Sequence, residues 1–235
     1  MTRRRWIADR VEGDHAYLLG QNATHLFRVL RAQPGQQFDI AAEGVLRLGT
    51  IVHASLDKVE FHLGEEVASE ALPDISVYLS LFKFDRLEWA LEKLTELGVA
   101  RVTPVAAARS GAHLVKAADA RAERWRKIAR ESAQQARRIA PPEIAAPLAL
   151  KHAITKVQGS RIVLSESEDS VSLKQALAGC TAPVAMAFGP EGGWTTDEIE
   201  MFRAAAWKPA SLGPTILRAE TAAIAAVAVA MAELA

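Results

Sequence analysis

The chain has 235 residues, half of them apolar, which suits one large or two modest globular domains with a real core. Basic and acidic side chains number 28 each, so the formal net charge is zero. This neutrality argues against a general nucleic-acid binder, and any contact with nucleic acid must come from local clusters.

Residues 1–70 have the pattern of a small β-rich domain. A short helix is predicted at residues 24–31, and Pro34-Gly35 ends it. The inward face of this helix is expected to consist of Leu26, Val29 and Leu30. Strands are predicted at residues 37–41, 46–53 and 58–63, the last with Val59, Phe61 and Leu63 on one side.

Two groups of cationic side chains belong to this region. The first group lies three residues apart along one face of the predicted helix and consists of His25, Arg28 and Arg31. The second group, near the N-terminus, consists of Arg3, Arg4 and Arg5. From the residues alone, a solvated helix face explains the first group as well as a nucleic-acid contact does.

Residues 65–74, with Pro73, are the best candidate for a linker, because the pattern changes after them. Strands then alternate with helices, which predicts a parallel sheet with helices on both faces. The predicted strands are residues 75–81, 99–105, 161–165, 184–188 and a short one near 210–212. The predicted helices are residues 86–97, with Asp85 as N-cap and Gly98 as its end, about 118–138, 172–178, 196–206 and 219–234.

The predicted helix at 118–138 lies in the most basic part of the chain. Between Arg109 and Arg138 there are nine basic and three acidic side chains. Its inward stripe, at three-to-four spacing, is expected to be Ala122, Trp125, Ala129, Ser132 and Ala136. The excess of positive charge favours a surface that faces phosphates, while a solvated face with ion pairs remains the alternative.

The Ala-rich final helix and the single cysteine bear on the compartment. The segment 219–234 is too short for a membrane span, and most of its side chains are small. We therefore interpret it as a helix buried in protein. Cys180 cannot form an internal disulfide, and no apolar stretch follows the basic N-terminus. We therefore expect a cytoplasmic protein without a signal peptide or a membrane partner.

A glycine-rich stretch, Phe188-Gly-Pro-Glu-Gly-Gly-Trp194, joins a buried strand to a helix. Thr195 and Glu198 have the spacing of a capping box at that helix start. The stretch lacks the Lys-Ser/Thr ending of a phosphate loop and the spacing of a dinucleotide turn. Because Glu191 disfavours a polyanion, we expect a neutral or cationic small molecule there; taken alone, a structural turn is the simpler interpretation.

A second stretch, Ser211-Leu-Gly-Pro-Thr-Ile-Leu-Arg-Ala-Glu-Thr221, changes that interpretation. Together the two stretches resemble the C-terminal motifs of the SPOUT methyltransferases and, more closely, the bacterial rRNA uridine-N3 methyltransferases of the RsmE family. That family shows Gly-Pro-Glu-Gly-Gly before an aromatic residue, and later Leu-Gly-Pro-Arg-Ile-Leu-Arg-Thr-Glu-Thr-Ala. This chain departs from it at Thr215, where the family has Arg, and at Ala219, where it has Thr. Residues 25–31, 87–99 and 131–138 also look like the family.

The resemblance implies an α/β protein of two domains. Residues 1–70 would form a PUA-like RNA-binding β-barrel, and residues 74–235 a SPOUT domain with a parallel sheet and a deep trefoil knot at about 160–235, a rare chain topology. It also implies a homodimer that pairs through the knot domain. The implied reaction transfers a methyl group from S-adenosyl-L-methionine to N3 of a uridine in small-subunit (16S) ribosomal RNA, either naked or in the assembled subunit. No metal is expected, since the sulfonium donor is already activated and no His/Cys cluster is present.

The resemblance also assigns site residues. The cofactor would be held by Leu164, Gly189, Pro190, Glu191, Gly192, Gly193, Leu212, Gly213, Ile216 and Leu217. RNA would be held by Arg3, Arg4, Arg5, His25, Arg28, Arg31, Arg109, Gln135, Arg137 and Arg138. Because N3 must lose its proton near the moment of attack, the catalytic candidates are Arg218 for the anionic uracil and Glu220 or Glu191 as base, with His25 a further possible base.

Three other functions stay open at this point. One is a SPOUT methyltransferase for another RNA position, such as a ribose 2′-oxygen. Another is a non-catalytic RNA-binding factor of ribosome assembly, for which Thr215 and Ala219 are the only hints. The third is a metabolic enzyme without an RNA partner, suggested by the neutral charge.

Overall fold

The computed structural model describes residues 4–155, 157–168 and 170–234, and these residues divide into two compact units. The first unit consists of the described part of Met1–Ala71 together with Ala133–Pro141. The second consists of Leu72–Ser132 and the described part of Pro142–Ala235.

The first unit contains a six-stranded mixed sheet. Its strand order is β1-β4-β5-β6-β3-β2, with β1 parallel to β4 and the other pairs antiparallel. The strands are β1 (Arg5–Ile7), β2 (Arg10–Glu12), β3 (His15–Leu19), β4 (Gln37–Ala42), β5 (Val45–Ala54) and β6 (Lys58–Glu66). The three strands predicted from alternation correspond to β4, β5 and β6, and the inward side chains of β6 are buried as expected: Val59, Phe61 and Leu63.

The predicted helix at 24–31 differs from the one observed. A short helix α1 (Gly20–Thr24) continues into a π-helix (His25–Val29), in which the N–H of Leu30 donates to the carbonyl of His25, five residues back, at 3.2 Å. Leu26 is fully buried, but the prediction for Val29 is wrong, because its surface is 64% exposed. The wider π turn carries Val29 away from the face that normal α-helical spacing assigns to it.

The segment Ala133–Pro141 packs with the first unit. The side-chain oxygen of Gln134 accepts the N–H of Ile7 at 2.7 Å, and its amide donates to the carbonyl of Arg5 at 2.9 Å. Ala133 is buried in the same small apolar cluster as Ile7 and Leu46. Gln134 therefore extends the hydrogen bonding of the edge strand β1.

The second unit is built on a parallel sheet of order β10-β8-β7-β12-β11-β13, with β9 paired to β8. Its strands are β7 (Ile75–Ser80), β8 (Arg101–Ala106), β9 (Glu143–Ile144), β10 (Leu148–Ala149), β11 (Ser160–Leu164), β12 (Val184–Phe188) and β13 (Lys208–Ala210). Its helices are α2 (Phe84–Leu97), α3 (Ala112–Gln135, as far as Ser132), α4 (Leu150–Ala153), α5 (Leu173–Leu177), α6 (Thr196–Ala204) and α7 (Ala219–Leu234). The predicted parallel α/β architecture is confirmed.

Helix ends in this unit follow local chemistry, with one exception. Gly98 ends α2 in the left-handed conformation, with φ of 101°. The prediction of Asp85 as N-cap is wrong: Lys83 holds the cap position, and Asp85 lies in the first turn, where the helix dipole favours a carboxylate. Among the described residues, no helix combines the length and the apolar character that crossing a bilayer requires.

Candidate functional site

The second unit contains a cavity of about 410 Å³ at the carboxyl edge of its parallel sheet. Neighbouring parallel strands end at the same edge, so the loops after β7, β11, β12 and β13 meet there. The apolar part of the lining consists of Leu164, Phe188, Leu212, Ile216, Leu217, Ala219 and Ala222. The two glycine-rich stretches, which the sequence separates, therefore form one pocket.

The first stretch is held at its C-terminal end by the capping box at the start of α6. Thr195 accepts the N–H of Glu198 on its hydroxyl at 3.2 Å, and Glu198 accepts the N–H of Thr195 at 2.9 Å. The other oxygen of the Glu198 carboxylate accepts the N–H of Ala108 at 2.7 Å. This buried carboxylate therefore joins the loop after β8 to the loop after β12, in addition to capping its own helix.

Gly193 has a backbone conformation that disfavours a side chain. Its φ is +67°, which L side chains rarely adopt, and a Cβ there would lie 2.8 Å from Oε1 of Glu166. Its N–H closes a tight turn on the carbonyl of Pro190 at 2.8 Å. The turn brings main chain, with no intervening side chain, to the wall of the cavity.

The side chains of Trp194 and Arg109 fix the same loop through three further hydrogen bonds. The indole N–H of Trp194 donates to the carbonyl of Leu164 at 3.0 Å, which ties the loop after β12 to the end of β11. One guanidinium nitrogen of Arg109 donates to the carbonyls of Gly192 at 2.6 Å and Trp194 at 3.3 Å. Arg109, which the resemblance assigns to RNA, thus contacts the first glycine-rich stretch directly.

Charged side chains surround the cavity on several sides. Arg86 makes an ion pair with Glu191 at 2.8 Å, and both line the pocket. Lys83 and Arg218 also line it; both are exposed, and neither side chain has a hydrogen bond or ion pair with the residues that the structure describes. These two cations are available to an anionic ligand.

The structure brings most of the predicted cofactor residues together. Those that line the cavity are Leu164, Gly189, Pro190, Glu191, Gly193, Leu212, Gly213, Ile216 and Leu217, together with Arg218. Gly192 and Glu220 do not line it; Glu220 is buried at the start of α7.

Lys83 and Arg86 are the charged lining residues that sequence reasoning missed. A signal for them existed. They follow the buried strand β7 directly, and β7 pairs with β12 in the parallel sheet, so their loop must end beside the first glycine-rich stretch.

The residues that the resemblance assigns to RNA have varied surroundings. Exposed side chains are those of Arg4, His25, Arg28, Arg31, Gln135 and Arg137, while Arg3 lies outside the described residues. Arg5 donates to the carbonyl of Arg137 within the first unit. Burial lowers the pKa of the partly buried Arg138.

Several cations of α3 have acidic partners. Arg121 and Arg124 both contact Glu88 of α2, at 3.3 and 2.8 Å, and Arg126 contacts Glu123 at 2.5 Å. These three residues therefore belong to a solvated helix face with ion pairs.

Among the residues that the structure describes, no cluster of three or more His, Cys, Asp or Glu side chains could hold a metal ion.

Comparison with known proteins identifies the family of the chain. Residues 69–231 match the family model of the RNA methyltransferase domain, so the chain is a member of that class. It is 32% identical over 217 residues to the ribosomal RNA small subunit methyltransferase E of Bacillus subtilis, covering 87% of this chain and 85% of the relative. The Synechocystis protein of the same name is 34% identical over 209 residues, covering 84% of this chain and 66% of that relative. The chain belongs to the ribosomal RNA small subunit methyltransferase E family, and the resemblance found in the sequence is confirmed.

Solved structures share the fold. The ribosomal RNA small subunit methyltransferase E of Neisseria gonorrhoeae, bound to S-adenosyl methionine, has a TM-score of 0.85 at 22% identity, covering 100% of this chain and 98% of that one. A putative methyltransferase of Legionella pneumophila, in complex with the cofactor SAM, has a TM-score of 0.82 at 26% identity, covering 99% and 98%.

Proposed function

We propose that the protein methylates N3 of a specific uridine in small-subunit ribosomal RNA, with S-adenosyl-L-methionine as methyl donor. The observation that carries this proposal is the cavity of about 410 Å³ into which both glycine-rich stretches converge. Its size suits a small-molecule site. The relatives named ribosomal RNA small subunit methyltransferase E support methylation of this RNA, and the structural neighbours with bound S-adenosyl methionine support the choice of methyl donor.

The residues of the cavity fit this cofactor. Main chain at Gly189, Gly193 and Gly213 allows close approach, and the aliphatic side chains of Leu164, Leu212 and Leu217 suit the faces of an adenine ring. Glu166 and Glu191 supply negative charge for a cofactor that carries a sulfonium. These glycines, leucines and glutamates are the residues that would hold the cofactor.

When bound, the cofactor supplies an activated methyl group, and the chain has to place an unpaired base beside it and manage one proton. N3 lies on the pairing edge of uracil, so the base must leave its helix before it reaches the cavity. Arg218, exposed at the lining and without a partner in the described chain, is placed to stabilise the anionic uracil. Glu191, which lines the cavity, is the candidate proton acceptor that can reach a bound base, whereas Glu220, the other candidate, is buried and does not line the cavity.

The first unit is proposed to be a PUA-like barrel that holds RNA beyond the target base. Its curled mixed sheet and the exposed cations His25, Arg28 and Arg31 support this role. Exposed Thr215 stands where the family has Arg, so the neighbouring cations Lys83 and Arg218 carry the attraction to RNA at the cavity. This substrate fits the cytoplasmic location expected from the single cysteine.

We further propose a deep trefoil knot in the second unit and a homodimer that pairs through it. The resemblance is the basis for the knot, and the position of residues 212–217 beside the loops after β11 and β12 is compatible with it. The small residues of α7 support the dimer, because they allow a partner backbone to approach closely.

The test is mass mapping of ribosomal RNA from cells that lack this protein. We expect one methyluridine to disappear and to return with the wild-type chain but not with Gly193→Trp. If no modification is lost, the proposal is wrong. Loss of a 2′-O-methyl group would indicate another RNA position, and absence of calorimetric binding at millimolar cofactor would favour the non-catalytic assembly factor.

A further inference from the structure

Arg86, in the first turn of α2, lies between two carboxylates from different parts of the chain. Its terminal Nη1 is 2.8 Å from Oε1 of Glu191, in the first glycine-rich loop. Its Nε is 3.8 Å from Oε1 of Glu220, in the first turn of α7. One guanidinium therefore faces both the cofactor loop and the beginning of the last helix.

The two carboxylates differ in how much they depend on Arg86. The Glu191 side chain is 42% exposed, so water solvates it when the ion pair opens. The Glu220 side chain is only 6% exposed, and its Oε2 is buried without a hydrogen-bond partner. Of the residues that the structure describes, Arg86 alone supplies a cation within 4.0 Å of Glu220. A buried carboxylate without a cation is costly, so this guanidinium is anchored at Glu220.

An anchored guanidinium can position the loop that it also contacts. The planar fork of arginine presents its N–H donors at fixed angles, and orienting Nε toward Glu220 fixes where Nη1 points. A lysine ammonium is a single point charge on a flexible stem, so it attracts a carboxylate without fixing the direction of a second contact.

We propose that Arg86 is a positioning residue, which uses Glu220 as its anchor to fix Glu191 and, with it, the turn at residues 189–193 before the cofactor binds. In this arrangement Glu220 affects the loop indirectly, by holding Arg86. The consequence for cofactor affinity rests on the proposed function, whereas the ordering of the loop does not.

The charge of Arg86 and its positioning of the loop have opposite expected effects on cofactor affinity, so an experiment can separate them. Removing the Arg86 charge leaves two carboxylates near the cavity, and this alone strengthens binding of a cationic ligand. Loss of loop order instead weakens the binding of every ligand of the cavity, whatever its charge. S-adenosylmethionine carries one more positive charge than S-adenosylhomocysteine, its demethylated product, so the pair separates the two effects.

The first measurement is hydrogen exchange of backbone amides in the protein without cofactor. In Arg86→Gln we expect exchange in the turn at residues 189–193 to become at least tenfold faster, as measured at the Gly193 amide, which donates to the carbonyl of Pro190. The second is calorimetry, in which both ligands should bind Arg86→Gln about tenfold more weakly. Arg86→Lys should recover less than half of the lost affinity, on a logarithmic scale. Unchanged loop exchange, or tighter binding of the cationic ligand alone, overturns the proposal.

The matched control is Arg124→Gln, which removes another guanidinium–carboxylate contact of α2 at 2.8 Å, the one with Glu88. It should leave loop exchange and affinity unchanged. Should Arg86→Gln fail to fold, Glu191→Gln removes the exposed partner alone and must still speed exchange at residues 189–193. If the wild-type protein binds no cofactor and Arg86→Gln still speeds exchange in the loop, this inference stands and the proposed function is rejected.

Discussion

At Gly193 the backbone conformation favours glycine, and a side chain there would displace the end of Glu166. The positive φ disfavours any side chain, and a Cβ would also meet the Glu166 carboxylate at 2.8 Å. We expect Gly193→Ala to lose about 1 kcal/mol of stability through the left-handed conformation and to bind S-adenosylmethionine about tenfold more weakly. Calorimetry and thermal unfolding measure the two effects.

Gly179 provides the control for that substitution. Its φ is +74°, but a Cβ on this residue would have no atom within 4 Å, so Gly179→Ala adds the strain without the crowding. It should lose a similar stability, about 1 kcal/mol, and keep its affinity for the cofactor. Equal affinity losses in both variants would contradict the assignment of Gly193 to the cavity wall.

Trp194 has a comparable double role, as packing residue and as hydrogen-bond donor. Trp194→Phe keeps an aromatic ring but leaves the carbonyl of Leu164 without its donor. We expect a loss of about 1 kcal/mol of stability and severalfold weaker cofactor binding, because two loops of the cavity are no longer tied together. Trp207→Phe removes an equivalent bond, to Ile154 at 3.1 Å, and should lower stability without changing affinity. If the two variants bind the cofactor equally well, the tie at Leu164 is only structural.

Single residues also mark the limit of what the sequence predicts. The spacing of Thr195 and Glu198 predicts the capping box that is observed, because both partners lie within one turn. The second contact of Glu198, with the N–H of Ala108, joins residues 90 positions apart, and no local pattern encodes it. Arg86 was missed for the same reason, since its partners follow it by more than one hundred residues.

At the scale of elements, the alternation of strands and helices predicts the second unit well. The run of β12 is apolar throughout and that of β7 mostly apolar, as buried parallel strands are, and α2 has a regular apolar stripe. The strands β1 and β2 of the first unit have only three residues each, too few for alternation to be visible. The π-helix was missed because its spacing depends on tertiary packing, which the apolar pattern does not report.

That π-helix has a consequence for RNA binding. It leaves Phe27 38% and Val29 64% exposed, next to the exposed cations His25, Arg28 and Arg31. An aromatic ring among cations is the usual platform on which an unpaired base stacks. We expect Phe27→Ala to weaken binding of a small-subunit RNA fragment by about 1 kcal/mol or more, roughly fivefold, with no change in cofactor affinity.

Filter binding at several salt concentrations measures this effect and its origin. Stacking is insensitive to salt, so Phe27→Ala should shift the binding curve while keeping the salt slope, whereas Arg28→Gln should reduce the slope by about one phosphate contact. Val52→Ala, at an exposed apolar position of β5, is the control. Wild-type affinity in Phe27→Ala would show that the ring does not contact RNA.

At the scale of the whole molecule, a neutral chain can bind RNA only through the placement of its charges. The sequence shows an excess of cations along α3, but the contacts with Glu88 and Glu123 account for much of it. The sequence gives no sign that Ala133–Pro141 belongs to the first unit, since Gln134 makes its polar contacts with Arg5 and Ile7, 129 and 127 positions earlier in the chain. Local pattern therefore predicts the units better than it predicts the chain path between them.

The last helix allows the proposed homodimer to be tested. The inward face of α7 lies in the main apolar cluster with Ala223, Val227 and Ala230, while Val229 on another face is 38% exposed. If that face pairs with a second copy, Val229→Arg places a cation in an apolar interface and should yield monomers. Sedimentation velocity should then give half the wild-type mass. Val115→Arg, at a position of α3 with the same exposure, should remain dimeric. A wild-type monomer would reject the homodimer, and a dimeric Val229→Arg would place the interface away from this face of α7.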